Sequence, residues 1–197
     1  MTRRVRWSSY GLRPGFTFVE LVIVLVVLGV LGTLMLPRVP LARYRMDGSV
    51  RGVAVALVAA QRVAVKKQHD VVVSFDTGAG EIWIHEDADN DGATEAGERI
   101  RVVTLDDQVT FGRGGAPARS FGGSAITFSE TQGGRPSVTF KRNGSTTEAG
   151  GLYLTTVQAT VESGHEGHAR AVEVDRATGR TSWYYYDSSN SVWRTGF

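Results

Sequence analysis

A run of 21 residues from Phe16 to Leu36 is apolar except for one charge, Glu20. Built as a helix at 1.5 Å per residue, it is about 30 Å long and reaches across the hydrocarbon core of a bilayer. A carboxylate inside such a run costs on the order of a few kcal/mol and is rarely tolerated without a partner. Any structure for this chain must therefore place the run in an apolar medium and neutralise Glu20.

The flanks of the run set its orientation. Arg3, Arg4, Arg6 and Arg13 all precede it, which predicts a cytoplasmic N-terminus and an exported C-terminal part. Of 22 basic and 20 acidic residues, 18 and 19 lie beyond Leu36. The alkaline balance thus belongs to the leader, and the remainder is nearly neutral. That argues against a broad nucleic-acid surface, which needs a basic face, although a local patch stays open. With 197 residues, the chain has room for one anchor and one modest domain. Cysteine is absent, so disulfides, thiolate zinc sites and a cysteine nucleophile are excluded.

An ordinary secretory signal has a shorter apolar region and a small-x-small cleavage site, and "LMLPRVPLARY" offers none. A plain single-pass anchor explains the length of the run but not Glu20 or the glycine before it. "G-FTFVE", Gly15 to Glu20, resembles the prepilin signal shared by type IV pilins and type II secretion pseudopilins. The resemblance implies that a prepilin peptidase of the inner membrane cuts between Gly15 and Phe16 and methylates the new amine of Phe16. It also implies that Glu20, fifth in the mature chain, faces the charged N-terminus of a neighbouring subunit during assembly. Such a pair removes two charges that hydrocarbon penalises and makes axial misregister costly.

Beyond the run, residues 37–69 read as an amphipathic helix. Val50, Val53, Ala54, Leu57, Val58, Gln61 and Val65 recur largely at three- and four-residue steps. Pro37, Pro40 and Gly48 predict kinks or a break near the membrane exit. From Asp70 the period changes to two: "DVVVSFD", "EIWIHED", "RIRVVTL", "AITFSE", "SVTFKRNG", "GLYLTT", "ARAVEVD" and "RTSWYYYD" read as strands between turn residues. "VDRATGRTSW" reads as a hairpin turning at Gly179. The expected organisation is a leader over 1–15, a transmembrane helix over 16–36, the amphipathic helix over 37–69 and an antiparallel β domain over 70–197. The class is α+β. This layout is similar to that of the GspH/FimT-like minor pseudopilins, through the helix entering the first strand, the hairpin "IWIHEDADNDGATEAGERIR" and the closing strand pair.

The most chemical-looking segment is "DADNDGATEAGE". Asp87, Asp89, Asp91, Glu95 and Glu98 stand at positions 1, 3, 5, 9 and 12 of an EF-hand-type calcium loop, with Gly92 at position 6. The flanks read as strands where an EF-hand has helices, and Thr94 stands where an aliphatic residue is usual. Two readings stay open, a stabilising calcium ion or a solvated acidic turn. "HEGH", His165 to His168, lacks the spacing of a zinc helix and reads as a loop of solvated histidines, while His69 and His85 are isolated. No arrangement of residues suggests an enzyme. Gly112 to Ala125 reads as a flexible surface loop without a phosphate-binding signature. The aromatic C-terminus, with Trp193 and Arg194, suits a protein interface, or single-stranded nucleic acid as the lesser alternative.

The resemblance implies a minor pseudopilin of a type II secretion system, a non-enzymatic subunit of a periplasmic filament. Its partners would be the prepilin peptidase, other pseudopilins and the inner membrane, with no certain cofactor and calcium as the one candidate. The alternative is a FimT-like minor pilin of a type IV pilus, serving pilus assembly or DNA uptake. A third reading is an unprocessed single-pass protein with a calcium-binding β domain.

Overall fold

A computed structural model of the chain describes residues 15–35, 41–92 and 97–196. Pro37 and Pro40, where kinks are expected, lie outside these ranges, as does Glu95. The chain divides into two units, residues 1–40 and 41–197.

The first unit holds α1, Phe18–Met35, an 18-residue helix about 27 Å long. Its side chains from Phe18 through Thr33 are all exposed. Thr17 caps it: the hydroxyl oxygen accepts the Glu20 N–H at 3.2 Å.

In the second unit, α2 runs over Leu41–Lys67 and passes through Gly48 without a break. Met46, Val50, Val53, Leu57, Ala60 and Ala64 form its buried stripe. These steps of three and four keep one face on the core. By length and hydropathy α2 resembles a membrane span, but this face is covered by strands, and Arg51, Arg62, Lys66 and Lys67 are exposed on the rest beside Val55 and Val65. It is the core helix of the domain.

Among the described residues ten strands follow, in two antiparallel sheets. The first sheet contains β1 (Asp70–Asp76), β2 (Glu81–Asp87), β3 (Arg99–Thr104), β5 (Glu130–Gln132) and β6 (Arg135–Phe140), in the order β3-β2-β1-β6-β5. The second contains β4 (Val109–Phe111), β7 (Gly150–Thr156), β8 (Arg170–Val174), β9 (Thr181–Asp187) and β10 (Val192–Thr195), in the order β10-β9-β8-β7-β4. Helix α2 touches strands of both. The shared core gathers the α2 stripe, Val71, Val73 and Phe75 of β1, Val138 and Phe140 of β6, and Leu152 and Leu154 of β7. Phe75 stacks on Phe128 at 5.7 Å and meets Phe111 edge-on at 6.2 Å.

The α+β class follows expectation. The strand expected over "AITFSE" is instead a crossing between sheets. Ile126 bridges to Leu152 of the second sheet, and β5 begins at Glu130 in the first. Period-two alternation reports burial but not which sheet supplies the neighbour. The hairpin at Gly179 forms with φ +61, its Asp175 N–H bonded to Arg180 O. Gln61 of α2 secures it by donating to Gly144 O and Thr178 O at 2.8 and 2.6 Å.

Candidate functional site

Gly15, Phe16 and Glu20 are all exposed at the start of α1. Glu20 sits in the first turn, where the helix dipole favours an anion. Its carboxylate makes no ion pair or hydrogen bond among the described residues. Thr17 is the residue that sequence reasoning passed over. Thr-x-x-Glu is a capping pattern, and it starts the helix three residues before Glu20, fixing the carboxylate in the first turn.

The acidic hairpin connects β2 to β3. Asp87 is buried, and its two oxygens accept the N–H groups of Asn90 and Gly92 at 2.8 and 3.0 Å. Asp89 accepts the Asp91 N–H at 3.3 Å. One carboxylate oxygen from each of Asp87, Asp89 and Asp91 lies within 4.8 Å of the others, so three of the five expected ligands converge and suit a hard cation. Glu95 lies outside the described residues. Glu98 turns to His85 instead, 2.5 Å from Nε2, and its other oxygen accepts the Ala88 N–H. His85, expected to be isolated, is therefore buried and partnered, with the Gln132 amide 3.2 Å from Nδ1. The antiparallel register, His85 opposite Ile100, brings Glu98 back beside the ring.

The glycine-rich segment is not a free surface loop; it folds over the outer face of the second sheet. The Tyr153 hydroxyl donates to Gly122 O at 2.6 Å and accepts the Arg119 N–H at 2.7 Å. Phe121 stacks on Tyr153 at 4.9 Å. Gly151 has to be glycine, since a Cβ there would meet the Phe121 ring at 2.8 Å. Burial pushes the Tyr153 hydroxyl upward in pKa, partly offset by the Arg119 N–H. The Arg119 guanidinium lies 3.5 Å over the Tyr184 ring and reaches Glu173 at 3.0 Å.

Trp193 belongs to this cluster. Its indole packs against Tyr153 and Tyr186 at 5.9 and 5.4 Å, and its N–H donates to Pro117 O. Arg194 is exposed and donates to Asp187 at 2.8 Å. Bonds from Asn190 and then Arg194 hold the Asp187 carboxyl below its ordinary range. The pair is adjacent on β10, but Trp193 is committed to packing within the domain.

The "HEGH" segment is a 3-10 turn, Glu166–His168, with the His165 and His168 rings stacked at 5.3 Å. It is less solvated than expected: Thr156 Oγ1 lies 3.1 Å from His168 Nδ1, and burial pushes that imidazole down. Beside it, Arg170 is 3% exposed. Its guanidinium bonds Asp47 of α2 at 2.8 Å and the carbonyls of Gly167 and Ala169 at 3.0 Å. An arginine at a core-strand position and an aspartate beside the buried stripe of α2 were the available signals for this pair.

A family model described as type II transport protein GspH matches residues 49–179, from within α2 to the β8–β9 hairpin. No curated protein matches the sequence. Among solved structures, the chain is similar to the minor pseudopilin EpsH from the Type 2 Secretion System of Vibrio cholerae. The two share 9% identity over 77% of this chain and 96% of that one, with a TM-score of 0.42.

Proposed function

The chain belongs to the GspH family of type II transport proteins, and from that membership we propose that it is a minor pseudopilin, a structural subunit of a type II secretion pseudopilus. The observation that carries this reading is the joining of a GspH-type domain to an apolar helix whose one charge is exposed and makes no ion pair among the described residues. In a bilayer Glu20 needs a cation. Cleavage after Gly15 creates one, the amine of Phe16, which an axial shift of about 6 Å brings level with Glu20 of a neighbouring subunit. Pairing the two across subunits favours one axial register, because any other leaves a charge unpaired in hydrocarbon. The Thr17 cap keeps the carboxylate at the helix start, near that amine.

In this reading prepilin peptidase processes the chain in the inner membrane, the basic leader stays cytoplasmic and the β domain lies in the periplasm. Other pseudopilins are the partners, and the role is structural rather than catalytic. The pilus or DNA-uptake alternative lacks a comparable observation, since Trp193 packs inside the domain and Arg194 is paired with Asp187. The test is the intact mass and N-terminal sequence of the chain purified from its native membrane. A mature chain beginning at methylated Phe16 supports the reading; a chain retaining Met1 to Gly15 overturns it.

A further inference from the structure

Among the described residues the first sheet ends at β3, with no strand paired beyond it. Among the described residues β3 pairs with β2 alone. The Leu105 N–H bonds Gly80 O. By the two-residue alternation of an antiparallel ladder, Ile100, Val102 and Thr104 then turn their N–H and C=O groups away from β2. Their side chains share the outer face with Trp83 and His85. Ile100 and Val102 are 43% and 41% exposed, an unusual pair of apolar side chains to leave on a free edge.

Two hollows lie along the same edge on the opposite face, between β3 and α2. One, of about 350 Å³, lies between Gly48, Gly52 and Val53 of α2 and Val103 to Asp106. A second, of about 160 Å³, lies between Ala59, Ala60 and Val63 of α2 and Ile84, Arg99 and Arg101. The α2 side is built largely of small residues, and a Cβ added at Gly48 or Gly52 would meet nothing within 4 Å. Arg99 and Arg101 line the second hollow, and Arg62 lies on the adjoining surface of α2. All three are exposed, and none makes an ion pair among the described residues.

We propose that β3 is a docking edge for an extended segment of another protein, which adds to the first sheet as a sixth strand. The segment has apolar or β-branched side chains on the face beside Ile100 and Val102. On the other face it has carboxylates, which meet Arg99 and Arg101. Backbone bonds to Ile100, Val102 and Thr104 supply affinity, and the alternating side chains supply specificity. Charge decides between occupants. A second copy added through its own β3 would set arginines against arginines, and like charges across a ladder are unfavourable. This surface lies wholly in the second unit, so the inference goes beyond the pseudopilin reading and does not require it.

The test uses the full chain in its native membrane. A benzophenone side chain is placed at position 100, 102 or 104 in turn, and irradiation adducts are mapped by mass spectrometry. The expected result is one partner segment, labelled at positions two residues apart, with Asp or Glu at the intervening positions. Arg99→Glu with Arg101→Glu should cut adduct yield about tenfold. Arg99→Gln with Arg101→Gln should give a smaller loss and guards against misfolding of the reversed pair. Adducts confined to lipid, adducts to a second copy, protein adducts without two-residue spacing, or yields indifferent to both arginine pairs overturn the proposal. A benzophenone at position 22 of α1 reports separately on filament contacts, so failure at β3 with success at position 22 leaves the pseudopilin reading standing.

Discussion

Replacing Asp47 by alanine should be among the most damaging single changes to the second unit. The Arg170 guanidinium is buried, and Asp47 is the only carboxylate bonded to it among the described residues. Burial lowers the pKa of Arg170, and Asp47 acts in the opposite sense, holding the charge in place. Breaking a fully buried pair costs about 3–5 kcal/mol. The Asp47 side chain is 40% exposed, so water reaches one end of the bond and about 2–3 kcal/mol is the better figure. The carbonyls of Gly167 and Ala169 remain as partners, which keeps the loss below the upper bound. For a unit spanning residues 41–197, that corresponds to a fall in Tm of roughly 5–10 °C. The assay is thermal unfolding of the detergent-solubilised full chain followed by near-ultraviolet circular dichroism. The double variant Asp47→Ala with Arg170→Met removes the stranded charge and should recover much of the loss. A single variant melting within about 2 °C of the parent, or a double variant worse than the single, would mean that no stranded Arg170 charge governs the loss.

Three further outcomes are expected. Burial holds His168 below its ordinary 6.5, so the unfolded chain binds the proton more readily. Stability should therefore be full above that pH and decline below it, and His168→Gln should flatten Tm between pH 7 and pH 5. The carboxylates held low, Asp76, Glu148, Glu166, Asp175 and Asp187, lose their contribution as pH falls through their ordinary 3.8 to 4.5 and below, mainly under this window. Gly179→Ala forces a Cβ at φ +61 against Gly144 O and Gln61, and should lower stability by about 1–3 kcal/mol as judged by the denaturation midpoint. Calcium bound by Asp87, Asp89 and Asp91 would raise Tm at millimolar concentrations, an effect abolished by Asp89→Ala; no rise removes calcium from the account.

Much of the layout was legible because burial leaves a period in the sequence. "DVVVSFD" and "EIWIHED" are β1 and β2 to the residue, and Val50, Val53 and Leu57 are buried on α2 as expected. Val65 is exposed although it fits the stripe, while Met46 and Ala64 carry the buried face nearer the helix ends. Short strands were not legible: β4 has three residues and β10 four, too few to display alternation. Nor was the division into two sheets, which depends on pairing between distant segments. The same limit hid the contacts of His85 with Glu98 and of Trp193 with Tyr153, because the partners come together only through register and loop closure. Glu20 stands out in the sequence for the opposite reason. A lone charge in an apolar run is anomalous before any fold is known, and its neighbour Thr17 could have been read from the capping pattern beside it.

Assembly through α1 with other subunits is read by crosslinking in the native membrane from position 22, comparing the parent chain with Glu20→Ala. The account predicts adducts to other pseudopilins that disappear in the processed Glu20→Ala variant. Undiminished adducts in that variant, or adducts to a major pilin and pilus-assembly proteins in the parent, would contradict it.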